Sequence, residues 1–504
     1  MPLATRTRLG AAPRVGHLTE FGVWAPAAGS VAVRVGGEDH ALERHDDGIW
    51  SGAAPAAAGD DYLYVLDGSD AWPDPCSCWQ PGGVRGPSRV LDTARFDISA
   101  GPGLRLDELV VYELHVGTFS AAGTFDGAVP RLAALRALGV TAIELMPVAT
   151  FPGERGWGYD GLYNSAPHPA YGGPARLARL VDAAHRAGLG VILDVVYNHV
   201  GPGNEALTAF GPYFTDRLGA TPWGDAVDYA QEGVREWALQ NAELWVRDYR
   251  IDGLRLDAVH AVQDDSPRHV LAELADRVRA ANPAALVISE MCLDDFRPLH
   301  EWGHDAMWLD NLHHALHVAL TGEQDGYYAD FDGSMARIAR ELERPEGPQL
   351  VVCAQNHDQV GNRALGDRLP PKQLRVAQAV VLFSTFTPLL FQGEEYAETA
   401  PFQYFTDHID PAIADATRAG RKREFARFTG FGEEVPDPQD VATFERSRLD
   451  PRSPDALVVK LLRLRRSLPR ELTVEADEDA RTLILRRGDR TLVADFANVT
   501  VELA

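Results

Sequence analysis

Four apolar runs in the 504-residue sequence end in groups that can move protons or attack carbon. One ends in Asp194-Val-Val-Tyr-Asn198-His199, one in Arg255-Leu-Asp257-Ala-Val-His260, one in Glu290, and one in Gln355-Asn356-His357-Asp358. Asp257, Glu290 and Asp358 together form an inventory for breaking a glycosidic bond. One carboxylate attacks the anomeric carbon, one protonates the leaving oxygen, and one stabilises positive charge in the transition state. Arg255 stands two residues before Asp257, and side chains two apart on a strand point the same way, so its guanidinium is expected to keep Asp257 ionised. Glu290 has Ser289 and Met291 as neighbours and no adjacent base. An apolar setting would raise its pKa, which suits a general acid. A plainer reading stays open: a carboxylate just past an apolar run is also a good helix N-cap. Each of the three, taken singly, reads equally well as a cap, and Asp194 could be purely structural, bonded to the nearby arginine. Four run ends that all carry Asp, Glu, Asn or His, with Arg and His beside them, are harder to explain by capping alone.

Aromatic residues add a second kind of chemistry. Sugars present C–H faces that pack on rings and hydroxyls that bond to carboxylates. Tyr159 and Asp160, held between glycines in Gly156-Trp157-Gly-Tyr-Asp-Gly161, read as ligand contacts. Trp223, Tyr327 and Tyr328 fall in later loops, where simple packing is the better explanation for a lone aromatic. His313-His314 lacks the i, i+4 spacing of a helical zinc pair, and reads as polar rim or plain surface. Gly201-Pro-Gly203 has no Lys and no following Ser or Thr, so it is not a phosphate loop. No His/Cys cluster has zinc spacing, and neither a metal nor another cofactor is expected.

The elements that must position these groups are legible as eight short apolar runs, each followed by helical material. They are Val110–Leu114, Thr141–Leu145, Gly190–Asp194, Gly253–Asp257, Ala285–Glu290, Asp305–Leu309, Gln349–Cys353 and Pro388–Gln392. Near-continuous apolar runs suit strands buried on both faces, and eight strand–helix units predict a closed parallel (β/α)8 TIM barrel in the α/β class, with catalytic groups at the C-terminal strand ends. Helices are expected around Leu132–Leu138 and Leu177–Ala187, stopped by Gly139 and Gly188. Phe21–Pro26, Val31–Val35 and Tyr62–Leu66 read as strands of an N-terminal β-sandwich, carbohydrate-binding-like, over residues 1–95. Pro73–Pro87 reads as the linker into the barrel, which occupies residues 96–470 and carries an insertion lobe at about 200–230. A helix near Ala456–Leu468 precedes a short C-terminal β domain, residues 471–504, with strands at Thr482–Leu485 and Thr491–Ala494.

A formal charge of −25 repels phosphate backbones and anionic lipid, so nucleic acid and membrane are poor partners, whereas a neutral substrate is not repelled. No stretch of eighteen apolar residues spans a bilayer, and the basic segment Met1–Arg14 lacks the apolar core of a secretory signal. The four cysteines, Cys76, Cys78, Cys292 and Cys353, are too few for a disulfide scaffold, and all four are expected as thiols in a cytoplasmic protein.

Taken together, Asp194–His199, Gly253–His260, Glu290 and Asn356–Asp358 resemble the conserved regions of the α-amylase family of glycoside hydrolases. Within it the chain is most similar to the maltooligosyltrehalose trehalohydrolases. That similarity rests on Met146-Pro-Val148, Arg155–Gly161, Asn198–Pro202, Gln355–Asn362, Gly393–Tyr396, Pro401–His408, Phe21–Pro26 and Gln80–Ser88. The resemblance implies Asp257 as nucleophile, Glu290 as proton donor and Asp358 as transition-state stabiliser. It implies that Arg255, His260 and His357 hold the sugar at the cleavage point, with Asp194, Asn198 and His199 in support. Further substrate contacts are implied from Asp310, Asn311, His313 and His314, and from Asn356 through Gln359 to Gly361. The implied reaction is hydrolysis, with retention, of the α-1,4 bond next to the terminal α,α-trehalose unit of maltooligosyl trehalose or a related α-glucan. Met291-Cys292 and Asp310-Asn311 depart from the residues usual there, which bears on affinity and chain length rather than on the chemistry. Two rivals share the same carboxylates: a glucan-branching transferase, in which a second glucan replaces water, and a non-catalytic glucan-binding protein.

Overall fold

The computed structural model describes residues 8–221, 223–291, 294–425 and 435–504. Eight parallel strands close on themselves in chain order: β1 (Val111–Leu114), β2 (Ala142–Leu145), β3 (Gly190–Val195), β4 (Gly253–Leu256), β5 (Leu286–Glu290), β6 (Ala306–Trp308), β7 (Leu350–Cys353) and β8 (Thr387–Phe391). The ring is completed by β1 against β8, with Val111 opposite Leu389. Every residue of all eight strands is buried. Side chains fill the inside and helices cover the outside, which is why the runs read as apolar without alternation.

The strand period of two then layers the interior. Val111, Ala142, Ile192, Ile288, Ala306, Val351 and Leu389 belong to one apolar cluster in the barrel. Two residues further along each strand, the same inward face carries Glu113, Glu144, Asp194, Glu290, Trp308, Cys353 and Phe391, and Arg255 stands two residues past Gly253. The lower half of the barrel is thus apolar, and the charges are gathered in its upper half. The expected helices are present as Leu132–Leu138 and Gly173–Arg186, and Gly139 and Gly188 have positive φ where these helices stop.

Two antiparallel sheets precede the barrel. One contains Leu18–Trp24 and Ile49–Pro55, the other Val31–Val35 and Asp61–Leu66. They face each other across Phe21 and Tyr62, whose rings lie 5.0 Å apart, and Tyr64 Oη donates to the Gly22 carbonyl at 3.1 Å. Pro73–Pro87, expected as the linker into the barrel, is packed down along its length. Asp74, Ser77 and Gln80 are wholly buried, and Trp237 of a barrel helix donates to the Pro75 carbonyl. Its glycines serve close packing: a Cβ on Gly86 would sit 2.8 Å from Gly82 Cα. Segment 200–230 holds a helix, Glu205–Phe210, and a two-stranded pair, Phe214–Thr215 with Ala226–Val227. It leans on the N-terminal sheets through Phe210 against Tyr64 and Tyr213 against Trp24.

The chain ends in a four-stranded antiparallel sheet. Its middle strands, Thr482–Arg487 and Arg490–Asp495, are the two legible in the sequence, and the outer ones, Thr473–Asp477 and Thr500–Leu503, are largely exposed and carry little apolar signal. Cys76, Cys78 and Cys353 are free thiols, and Cys292 lies outside the described residues. Among the described residues no helix is long and apolar enough to cross a membrane.

Candidate active site

Arg255 is the hub of the charged layer. It has no solvent exposure, and its guanidinium lies 4.2 Å above the ring of Trp308. Nη1 donates to both oxygens of Asp194, at 2.9 and 2.8 Å, and to Asp257 Oδ1 at 2.8 Å. Nη2 lies 2.9 Å from Glu290 Oε2. One guanidinium therefore draws together carboxylates from three consecutive barrel strands. Asp194 and Arg255 are register partners on β3 and β4, which makes this contact a direct product of the parallel pairing.

The expected pairing of Arg255 with Asp257 is present, but the expected apolar setting of Glu290 is not. Besides Arg255, Glu290 Oε2 accepts the backbone N–H of Ala258 at 2.7 Å. The sequence neighbours of Glu290 hold no base, and its cation arrives from the adjacent strand. Ala258 has φ 39°, in the left-handed region, immediately after Asp257. That conformation costs of order 1–3 kcal/mol for a non-glycine residue, and through the Ala258 amide the chain after β4 links the two carboxylates a second time.

A run of hydrogen bonds continues round the rim. Tyr159 Oη donates to Asp194 Oδ2 at 2.6 Å and meets His357 Nε2 at 2.7 Å, with the two rings stacked. The other His357 nitrogen faces Glu113 Oε1, and the His357 amide donates to Glu113 Oε2 at 2.9 Å. Burial works against the His357 cation, yet Asp358 and Glu113 outweigh it and push its pKa up to about 10. His357 is thus an imidazolium clamped between β1 and the Tyr159 loop. Asp358 leaves β7 beside it, with Oδ1 3.5 Å from His357 Nε2 and bonded to Asn362 Nδ2 at 2.9 Å. Burial raises the Asp358 pKa, opposed by His357 and reinforced by Glu290. None of the three carboxylates is a helix cap. The short helix His357–Gly361 is capped by Asn356, whose Oδ1 accepts the Gln359 amide at 2.8 Å.

The α-amylase catalytic-domain family model matches residues 91–210. A malto-oligosyltrehalose trehalohydrolase of Rhizobium sp. (strain M-11) is 43% identical, covering 96% of this chain and 92% of its own length. One from Deinococcus radiodurans is 44% identical, over 88% of this chain and 79% of its own. This chain belongs to the malto-oligosyltrehalose trehalohydrolase family. The 1.4 Å crystal structure of a Salmonella typhimurium protein described as an α-amylase superposes with a TM-score of 0.88 at 37% identity, covering 97% of this chain and 92% of that one. The members are α-amylase-type glycoside hydrolases, and the closed barrel with its flanking antiparallel sheets fits that fold.

Against the contacts expected from the sequence, the remaining residues fall into three groups. Asp310, His314 and Gln359 gather near Asp358. Burial, with Glu290 and Asp358 facing it, raises Asp310 to about 7, and Gln359 bonds to both Asp310 and His314. A cleft lined by Tyr327, Tyr328, Asp358, Gln359 and Arg363 opens beside them. A second group supports the hub. Asn198 Nδ2 donates to Asp257 Oδ2 at 2.7 Å, His199 bonds to Asn198, and the half-exposed Trp223 stacks on His199 at 4.6 Å. Asp160 lies half-buried, 4.0 Å from His408.

The third group does not converge on the carboxylates. His313 is buried and bonded to the Ala354 carbonyl, and Asn311 turns to Asp294. His260 is exposed in the turn after Asp257. Gly361 packs closely on Trp157: a Cβ there would sit 2.1 Å from the ring.

Glu113, Glu144 and Trp308 escaped the sequence reading. Each sits inside an apolar run at an inward position, and the two-residue argument applied to Arg255 and Asp257 finds them too. Glu144 lies opposite Glu113 in register, is buried, and makes no hydrogen bond with either oxygen among the described residues. Burial and Glu113 push its pKa well above the usual carboxylate range. Among the described residues no three His, Cys, Asp or Glu side chains are placed to share a metal ion.

Proposed function

We propose that this protein hydrolyses the α-1,4-glucosidic bond next to the terminal α,α-trehalose unit of maltooligosyl trehalose, releasing trehalose and a maltooligosaccharide with retention. The observation that carries this reading is the Arg255 guanidinium holding Asp257 and Glu290 on its two terminal nitrogens at the ends of adjacent strands. A retaining pair needs its carboxyls close, roughly 5–5.5 Å apart, with no room for a water between. Asp257 attacks the anomeric carbon as Glu290 gives its proton to the leaving oxygen. The C–O bond breaks, and a glycosyl ester on Asp257 remains. Glu290, now a carboxylate, takes a proton from water, whose oxygen displaces Asp257 and restores both groups. Asp358, beside the His357 cation, faces the charge that develops on the sugar ring.

Incubation with maltooligosyl trehalose and, separately, with amylose tests the reading by chromatography of the products. Free trehalose from the first substrate is the expected result. New branch points in amylose without trehalose release would instead indicate the transferase, and no product from either would indicate a binding protein.

A further inference from the structure

A large cavity lies at the opposite end of the barrel from the carboxylates. It measures about 900 Å³, at the upper end of the range for small-molecule sites. It opens beneath the starts of β1 to β3, at Val110, Thr141 and Gly188, and is walled by the helix Ala456–Arg465 and the C-terminal sheet. In a chain of net charge −25, seven arginines line it against three acidic residues, Asp107, Glu108 and Glu343.

Three of these arginines are neutralised locally. Arg105 and Arg470 both meet Asp107, and Arg344 meets Glu341 and Asp294. The other four have only carbonyl partners among the described residues. Arg136 donates to Val140 and Arg466 to Gly139. Arg465 and Arg487 converge on one oxygen, the Ser384 carbonyl, at 2.6 and 2.8 Å, just past the helix Pro371–Phe383. The negative end of that helix favours cations but does not discharge two of them. Burial and the neighbouring Arg487 push Arg465 down to about 9, and burial pushes Arg487 down to about 10. Buried charge without a counter-charge is costly, and Arg487 is only 4% exposed.

We propose that this cavity binds a small phosphate-bearing anion through Arg136, Arg465, Arg466 and Arg487. Guanidinium forks match phosphate oxygens two at a time, and the anion supplies the counter-charge that the carbonyls lack. An inorganic polyphosphate and a hexose phosphate share this chemistry, so both are probed. Pyrophosphate and glucose 6-phosphate are titrated into the full chain by calorimetry at constant ionic strength, with glucose as the uncharged control. The expected result is a Kd below about 1 mM for at least one anion, with a raised Tm. Tighter binding of glucose 6-phosphate points to an ester, and binding of pyrophosphate alone to an inorganic ligand. The double variant Arg136→Gln, Arg466→Gln, whose side chains lie on the rim, should bind about a hundredfold more weakly or worse, about tenfold for each charge-assisted bond lost. Its turnover on maltooligosyl trehalose and its ligand-free Tm should stay as in the parent. No binding beyond that of the glucose control, or parental affinity in the double variant, overturns the proposal.

Discussion

At one end of the barrel a single arginine is enclosed by carboxylates; at the other, arginines gather around carbonyls. Arg255 is fully buried, yet Asp194, Glu290, Tyr159 and Asp257 outweigh that burial and hold its pKa well above the ordinary range. Arg465 and Arg487 are also withdrawn from water, and theirs fall. The side chain is the same in both places, so the sign of the shift belongs to the partners. A neutral carbonyl satisfies a donor without cancelling its charge, whereas a carboxylate does both. The whole-chain charge describes neither end. The carboxylate end gathers more acids than cations and needs its charges for chemistry, while the arginine end has cations without acids beside them.

The largest effects should come from the carboxylates themselves. Glu290→Gln is expected to lower kcat on maltooligosyl trehalose by about 10²–10⁴, with substrate affinity kept. Asp257→Asn should be at least as damaging, because it removes the atom that forms the ester. Near-normal turnover in the Glu290 variant would move the acid to another residue and dissolve the active end of the comparison.

Stability contrasts the two arginine environments directly. Arg255→Met strands three buried carboxylates and should cost about 3–5 kcal/mol in urea unfolding. Arg487→Met strands only carbonyls and should cost about 1–3 kcal/mol. Equal losses would mean that the partners do not set the energetics.

A pH series sharpens the carboxylate side. The folded-state pKa of His357 is raised from 6.5 to about 10. Its stabilising contribution is therefore complete below about 6.5 and lost as pH rises through about 10. Glu113→Gln removes one of the groups that raise it, so the variant should lose this contribution at lower pH than the parent. Urea unfolding of both proteins between about pH 6 and 10.5 gives the difference; parallel curves would show that Glu113 does not hold the cation. The smallest effect is expected at the exposed edge of the carboxylate network. Trp223→Ala should change stability by no more than about 0.5 kcal/mol, and raise KM with kcat unchanged. A loss of kcat would place Trp223 nearer the chemistry than its exposed stacking on His199 suggests.

The barrel was legible because strands buried on both faces must be apolar throughout, and all eight runs lie where the strands are. The outer strands of the C-terminal sheet were not, since they are short and their apolar residues Val474, Val501 and Leu503 are only partly buried. The packing of Pro73–Pro87 was not legible either, because its composition favours turns, while its burial depends on a barrel helix that packs over it. Asp257, Glu290 and Asp358 stood out by type and place, but capping remained an equal reading for each until their partners were known.

The sequence by itself determined which residue types stand at the strand ends and, through the two-residue period, that Arg255 and Asp257 share a face. Only the tertiary structure decided what surrounds them. Asp194 and Arg255 are 61 residues apart, and Glu113 and His357 are 244 apart. Their contacts exist because the closing barrel sets one register for all its strands. Whether a buried charge meets an opposite charge, a carbonyl or nothing follows from that register, and no local pattern encodes it.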